Sequence, residues 1–164
     1  MYDATQWLVD RANIHDVVLG MLLYADTKQT ERLGTDIFAD EIFVDYTSML
    51  GGEPYKISGQ EQAKVWKDMQ ANFDAIQHTT FSPLIDLGQP SGDRDQPSTA
   101  SVLVNTGATL VRKAAEGGPI MQSGGRYELG LTRTSSSGNP WRISKLKMVH
   151  VWLNGNPGVL PKQA

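Results

Sequence analysis

The chain has 164 residues, 40% of them hydrophobic and 20% charged, which fits one domain around one sizeable core. Its net charge of -3, pI near 5.5 and lack of a basic stripe argue against a nucleic-acid partner, and the absence of cysteine excludes disulfides, a thiol nucleophile and a thiolate metal site. No apolar run approaches the roughly 20 residues of a membrane span, and the start Met1-Tyr2-Asp3-Ala4-Thr5-Gln6 has neither the basic start nor the apolar stretch of a signal peptide. The expectation is a cytoplasmic protein with no membrane partner.

Asp3 or Thr5 is placed to cap a first helix. Leu8, Ala12, Val17/Val18, Met21/Leu22 and Ala25 recur at helical spacing, and the run 19–24 is apolar nearly all round, as in a helix buried on most sides. Asp26 follows at once. It is either a helix cap, a position where a carboxylate accepts orphan backbone N–H groups, or a pocket residue. Residues 27–38 read as a short second helix with Leu33, Ile37 and Phe38 inward. Ala39-Asp40-Glu41 reads as a polar break and residues 42–46 as a short strand. On that strand Asp45 and Tyr46 face opposite ways. Tyr46 is either core or pocket, and if buried its hydroxyl needs a partner.

Residues 49–56 contain Gly51-Gly52 and Pro54 and read as a loop. Ser58 opens a third helix, with Glu61 at capping-box spacing. Ala63, Val65, Trp66, Met69 and Phe73 form its apolar face. Trp66 and Met69 are candidates to line a pocket, although such a stripe also serves as plain core.

Strands then take over. Residues 76–87 read as a first long strand with His78, Thr80, Ser82 and Leu84 on one face. Strands follow at 100–113, 120–134 and 140–152, separated by glycine-, proline- and serine-rich turns. Gly117-Gly118 and Gly124-Gly125 read as turn or bulge glycines. A mobile tail is expected from about residue 157. Nothing repeats internally, and residues 1–164 read as a single domain. Helices first and hairpin-linked strands second make the class α+β: a curved antiparallel sheet, cone-shaped, wrapped around the N-terminal helices, with a mouth suited to a ligand.

This order of elements, with its residues, resembles the nuclear-transport-factor-2-like superfamily, and within it the SnoaL-like polyketide cyclase and scytalone dehydratase branch. The resemblance runs over about residues 12–156. It is carried by Tyr24-Ala25-Asp26, by Glu31-Arg32-Leu33 through Phe38-Ala39-Asp40-Glu41 to Val44-Asp45-Tyr46, by Ile76-Gln77-His78, and by Trp141-Arg142-Ile143-Ser144-Lys145-Leu146. Scytalone-dehydratase-like enzymes carry an Asp after the first helix, a Tyr on the short strand and a His on the first long strand, which the resemblance maps to Asp26, Tyr46 and His78. Their second His has no counterpart on the next strand, where this chain offers Asn105, Thr106 and Thr109. Their polar residues on the following strand fall near Glu128 and Gly130. His150 is a candidate replacement group, or else an edge residue.

The chemistry expected of this set is proton traffic beside a carbonyl. Loss of water, isomerisation and aldol-type cyclisation all need a base for the α-proton and an acid for the departing or receiving oxygen. A histidine titrates near neutrality and suits the shuttle. A carboxylate can hold its ring and stabilise the imidazolium, and a tyrosine hydroxyl can donate to the carbonyl oxygen as charge develops. The assignments are His78 as general base and acid, Asp26 as its partner or the base itself, and Tyr46 or Tyr24 on the carbonyl, with Trp66, Met69, Asn105, Glu128 and His150 around the substrate. His15, His78 and His150 show no metal-ligand spacing, and there is no P-loop, Rossmann glycine pattern or nucleophile-elbow serine, so neither metal nor cofactor is expected. The expected partners are a small hydrophobic oxygenated substrate and a second copy of the chain, with a trimer as the variant that scytalone dehydratase implies. The competing expectation is a non-catalytic binding or dimerisation module of the same fold.

Overall fold

The computed structural model describes residues 2–161. Helix α1 (Ala4–Asp26) starts in a capping box, the Asp3 carboxylate accepting from the Gln6 amide at 2.8 Å and the Gln6 side chain accepting from the Asp3 amide at 3.2 Å. Ile14, Val17, Val18, Met21, Leu22 and Ala25 are buried, the stripe of one helix face. The helix is buried on that face alone: Leu8 and Leu23 are 60% and 58% exposed, so the all-round apolarity of its C-terminal half does not mean all-round burial.

After α1 the chain makes one turn of helix, α2 (Thr30–Arg32), which widens into a π-helical turn (Leu33–Ile37). Strand β1 (Phe38–Asp45) follows at once. The polar triplet 39–41 therefore lies inside the strand; Ala39 is buried while Asp40 and Glu41 point to solvent. A short helix α3 (Thr47–Leu50) and strand β2 (Tyr55–Ser58) occupy what reads as a loop. Helix α4 (Gly59–Gln70) begins at Ser58 with the capping box anticipated from Glu61.

Strands β3 (Ala75–Thr80) and β4 (Leu84–Asp86) replace the single long strand expected over 76–87. Pro83 has no amide to donate, and the three-residue break shifts the alternation. His78 and Thr80 turn inward on β3, but on β4 it is Ile85 that is buried, while Leu84 is 70% exposed. Strands β5 (Thr99–Val111), β6 (Ile120–Arg133) and β7 (Trp141–Gly155) form the body of the sheet.

The strand order is β2-β1-β7-β6-β5-β3, with β4 also on β5, and the two ends do not close on each other. All pairs are antiparallel except β1 with β7, which is parallel, so the curved sheet is mixed rather than purely antiparallel. That exception follows from connectivity, since β1 returns through helix α4 and most of the sheet before it meets β7. Irregularities at Gly124/Gly125 and Gly130/Leu131 interrupt the β6–β7 ladder. A Cβ on Gly125 would stand 2.3 Å from the Val149 carbonyl, so glycine is required where the strands bend together. The concave face carries Val102, Val104, Leu129, Leu131, Ile143 and Leu146 against α1, making one core.

The chain end is packed against the body. A 3-10 turn (Pro157–Val159) buries Val159 with Phe73, Leu110 and Met121, and the Arg112 guanidinium donates to the Gly158 carbonyl. The mobile tail expected from about 157 is thus fixed through residue 161, and positions 162–164 lie outside the described residues.

Candidate active site

Between α4, α3 and the concave sheet lies a cavity that encloses, with its mouth, about 730 Å³. Its walls are mainly apolar, and no lysine or arginine is among its described lining residues. At one side stands His78. Strand β3 is an end of the sheet, so amides on its outer edge have no strand to bond. Asp26, the last residue of α1, takes that role. Its carboxylate accepts from the His78 backbone N–H at 2.6 Å and, with its other oxygen, meets His78 Nδ1 at 2.6 Å. The two side chains are 14% and 15% exposed.

Asp26 is not a cap. The following helical turn has Gln29 at its N-cap and no side-chain cap bond. A carboxylate in the last turn of a helix meets the negative end of the macrodipole, an unfavourable placement of roughly 0.3–1 kcal/mol. Helix stability therefore does not explain the residue; its two bonds to His78 do. Because the carboxylate can only accept, Nδ1 carries a proton, and Nε2 is left with no protein partner among the described residues.

Away from the dyad, Tyr46 and Tyr127 both line the cavity, their hydroxyls 3.4 Å apart. Burial pushes the Tyr46 hydroxyl well above its ordinary pKa, and Tyr127 beside it acts in the same direction. Burial also raises Tyr127, opposed by its bond to Tyr46 and helped by the Asp26 charge. Both are therefore O–H donors across the neutral range. Trp66 and Met69 of α4 are cavity walls. Among the described residues no three His, Asp or Glu side chains gather as a metal centre requires, and no helix is long and apolar enough to cross a membrane.

Four expected site residues stand elsewhere. Tyr24 is two residues from Asp26, about 200° round the helix, and its ring lies under the Arg32 guanidinium at 4.0 Å. Asn105 alternates with buried Val104 and Thr106 and so faces outward. Glu128, between buried Tyr127 and Leu129, pairs outside with Arg126 and Lys147 at 3.4 and 3.5 Å. His150 follows the stretch where β7 has run past β1. Its amide bonds Ser48 Oγ at 2.9 Å, and its side chain is not part of the cavity wall. Tyr127 is a cavity residue outside the expected set, and its place two and four residues before Leu129 and Leu131 is the signal that puts it on the inward face.

A family model described as a SnoaL-like domain matches residues 6–147. No curated protein sequence matches significantly. Among solved structures, a Kribbella flavida protein superposes with a TM-score of 0.75 at 20% identity, covering 88% of this chain and 93% of its own. A candidate scytalone dehydratase from Novosphingobium aromaticivorans gives 0.69 at 16% identity, covering 91% and 89%. The hexachlorocyclohexane dehydrochlorinase LinA-type3 of Novosphingobium barchaimii gives 0.69 at 17%, covering 96% and 97%. At such identities these likenesses show the fold.

Proposed function

Starting from the premise that the chain belongs to the SnoaL-like domain family, we propose that it is an acid–base enzyme that needs no cofactor, a lyase of the dehydratase type or an isomerase or cyclase using the same steps. The substrate is a polyketide- or terpenoid-like hydroxy-carbonyl compound of secondary metabolism. The observation that carries this reading is the Asp26–His78 pair, closed at 2.6 Å and presented to an apolar cavity. The fold likeness to a candidate scytalone dehydratase and to dehydrochlorinases, whose names denote eliminations, supports it.

In this reading His78 Nε2 takes the α-proton. The imidazolium forms against the Asp26 carboxylate, which stabilises it and keeps the ring from turning. The electron pair passes to the carbonyl oxygen, where the Tyr46 hydroxyl donates. The enolate then re-forms the carbonyl, its carbon–carbon pair shifts to the α,β-bond and the β C–O bond breaks. His78 returns the proton to the departing hydroxyl, which leaves as water, so that the acid and base are one group used twice.

A positioned acid–base group contributes about 10²–10⁴-fold in rate. With a panel of β-hydroxy ketones followed by enone absorbance, His78→Ala is expected to lower kcat by that order while the far-UV spectrum and Tm are held. Full activity in the folded variant would falsify the reading. Binding of the same compounds without turnover by the unmutated protein would turn it to a binding module.

A further inference from the structure

The indole of Trp66 is 6% exposed, and its N–H makes no hydrogen bond. Phe38 fixes that ring edge-to-face, 5.5 Å between centroids at 87°. Partly buried Trp7 and buried Trp141 are satisfied: Trp7 donates to the Gly88 carbonyl at 2.7 Å and Trp141 to Asp10 at 3.0 Å. Trp66 lies beside the Tyr46 hydroxyl, close enough to favour its ionised form, without forming a well-aligned hydrogen bond to it. The Tyr46–Tyr127 contact of 3.4 Å is itself long for O–H···O, which prefers 2.7–2.8 Å. Three donors thus line one wall with little to donate to.

Resting on the acid–base reading, we infer that Trp66 Nε1, Tyr46 Oη and Tyr127 Oη form a subsite for one neutral carbonyl oxygen, with Trp66 and Tyr127 as substrate-binding groups beside Tyr46. An indole N–H can only donate, and of the two tyrosines only one O–H is directed at the other, over a long contact, so the second is free for a third oxygen and the first can turn to it. The complement of such a wall is an acceptor. It is a neutral acceptor, because the cavity holds the Asp26–His78 pair and no lysine or arginine that would offset an ionised carboxylate. As the α-proton moves to His78 Nε2, the C–H electron pair becomes the enolate double bond and the carbonyl π pair moves onto oxygen, where these donors meet the charge. The subsite selects ketones and enones over hydrocarbons and halocarbons of equal shape.

The test is binding, independent of turnover. The probes are 1-tetralone, its carbonyl-free counterpart tetralin, and ionised 2-naphthoate, titrated into the full chain by calorimetry and by ¹H–¹⁵N spectra of the indole N–H, which Trp66→Phe assigns. An unmet donor in a dry site that gains an acceptor is worth roughly tenfold in affinity. Expected are tetralone binding about tenfold tighter than tetralin, a downfield move of the Trp66 resonance with tetralone only, and naphthoate weakest. Tyr127→Phe and Trp66→Phe are each expected to bring the tetralone/tetralin ratio toward one. Equal binding of tetralone and tetralin, absence of saturable tetralone binding, tighter binding of naphthoate, or an unmoved Trp66 resonance at tetralone saturation overturns the inference. These comparisons use the unmutated protein, so they hold even if a variant misfolds. His78→Ala is expected to keep the preference for tetralone; a preference kept in a protein that never turns over would remove the acid–base reading and leave the subsite.

Discussion

Asp26 holds His78 twice, one carboxylate oxygen on the backbone amide and the other on Nδ1, each at 2.6 Å. The helix end and the sheet edge are thereby joined through the residue proposed to move protons. Asp26→Asn separates these functions. Its single acceptor oxygen can serve the amide or the ring, but its NH₂ cannot accept from Nδ1–H. The expected result is a fall in kcat of about 10²-fold or more with a smaller change in KM, and loss of the downfield Nδ1–H proton resonance. Unchanged kcat with that resonance retained would show that the ring needs no carboxylate.

Much of this arrangement is legible in sequence through simple periods. Ser58 with Glu61 marks the start of α4, and the strands from 99 onward follow alternation between glycine-rich turns. Asp26, Tyr46 and His78 become candidates through the resemblance, which supplies their order. Asn105 and Glu128 could have been set aside by parity alone, since Val102 and Val104, and Leu129 and Leu131, fix which residues face inward. The phase shift after Thr80 is less legible, because Pro83 signals an interruption but not its length. The Tyr46–Tyr127 contact joins residues 81 apart in the chain. Only the sheet order brings them together, and no local pattern contains that order.

Tyr24 offers a control on the geometry. The resemblance admits it beside Tyr46 as a carbonyl donor, yet its ring lies under Arg32 and away from the cavity. Tyr24→Phe keeps the ring and removes the hydroxyl. It is expected to leave kcat/KM within about twofold, whereas Tyr46→Phe lowers it by about 10-fold or more, in line with the loss of a donor at developing charge. A large loss from Tyr24→Phe would mean that α1 turns on substrate binding.

Stability at acid pH should depend on a different carboxylate. Asp10 is buried in α1 and accepts from Tyr2 at 2.8 Å and Trp141 at 3.0 Å, with Arg133 donating to the oxygen that Tyr2 also bonds. Burial alone would raise the Asp10 carboxyl, but these three donors outweigh it and hold it below its ordinary 3.8. A depressed folded-state value means that the contribution is fully present above the unfolded value and is lost as pH falls through the folded one. Tm should therefore drop on acidification below about pH 4, and Asp10→Asn should flatten that part of the profile. The substitution also leaves Arg133 unpaired over Trp141, at a cost of about 3 kcal/mol or roughly 6–12 °C in Tm. A variant with the original Tm and the original acid profile would show that the cluster adds nothing.

The outer face of the sheet bears on assembly. Phe81, Val151 and Trp152 border one shallow groove there, and Leu84 and Leu103 border a second. All five are exposed, and Leu103 lies in the middle strand of its groove at 43% exposure. A single chain leaves these apolar groups in water, which favours covering them with a second copy through the same face, as a two-fold interface does. We expect light scattering coupled to gel filtration to give the mass of two chains. The double substitution Leu103→Asp and Val151→Asp should give one, since two charges meet their symmetry mates in a dry contact. Neither residue touches the cavity, so the monomer should keep its affinity for cavity ligands. A mass of three chains that the double substitution does not change would place the contact on another face, and a monomeric unmutated protein would remove the interface altogether.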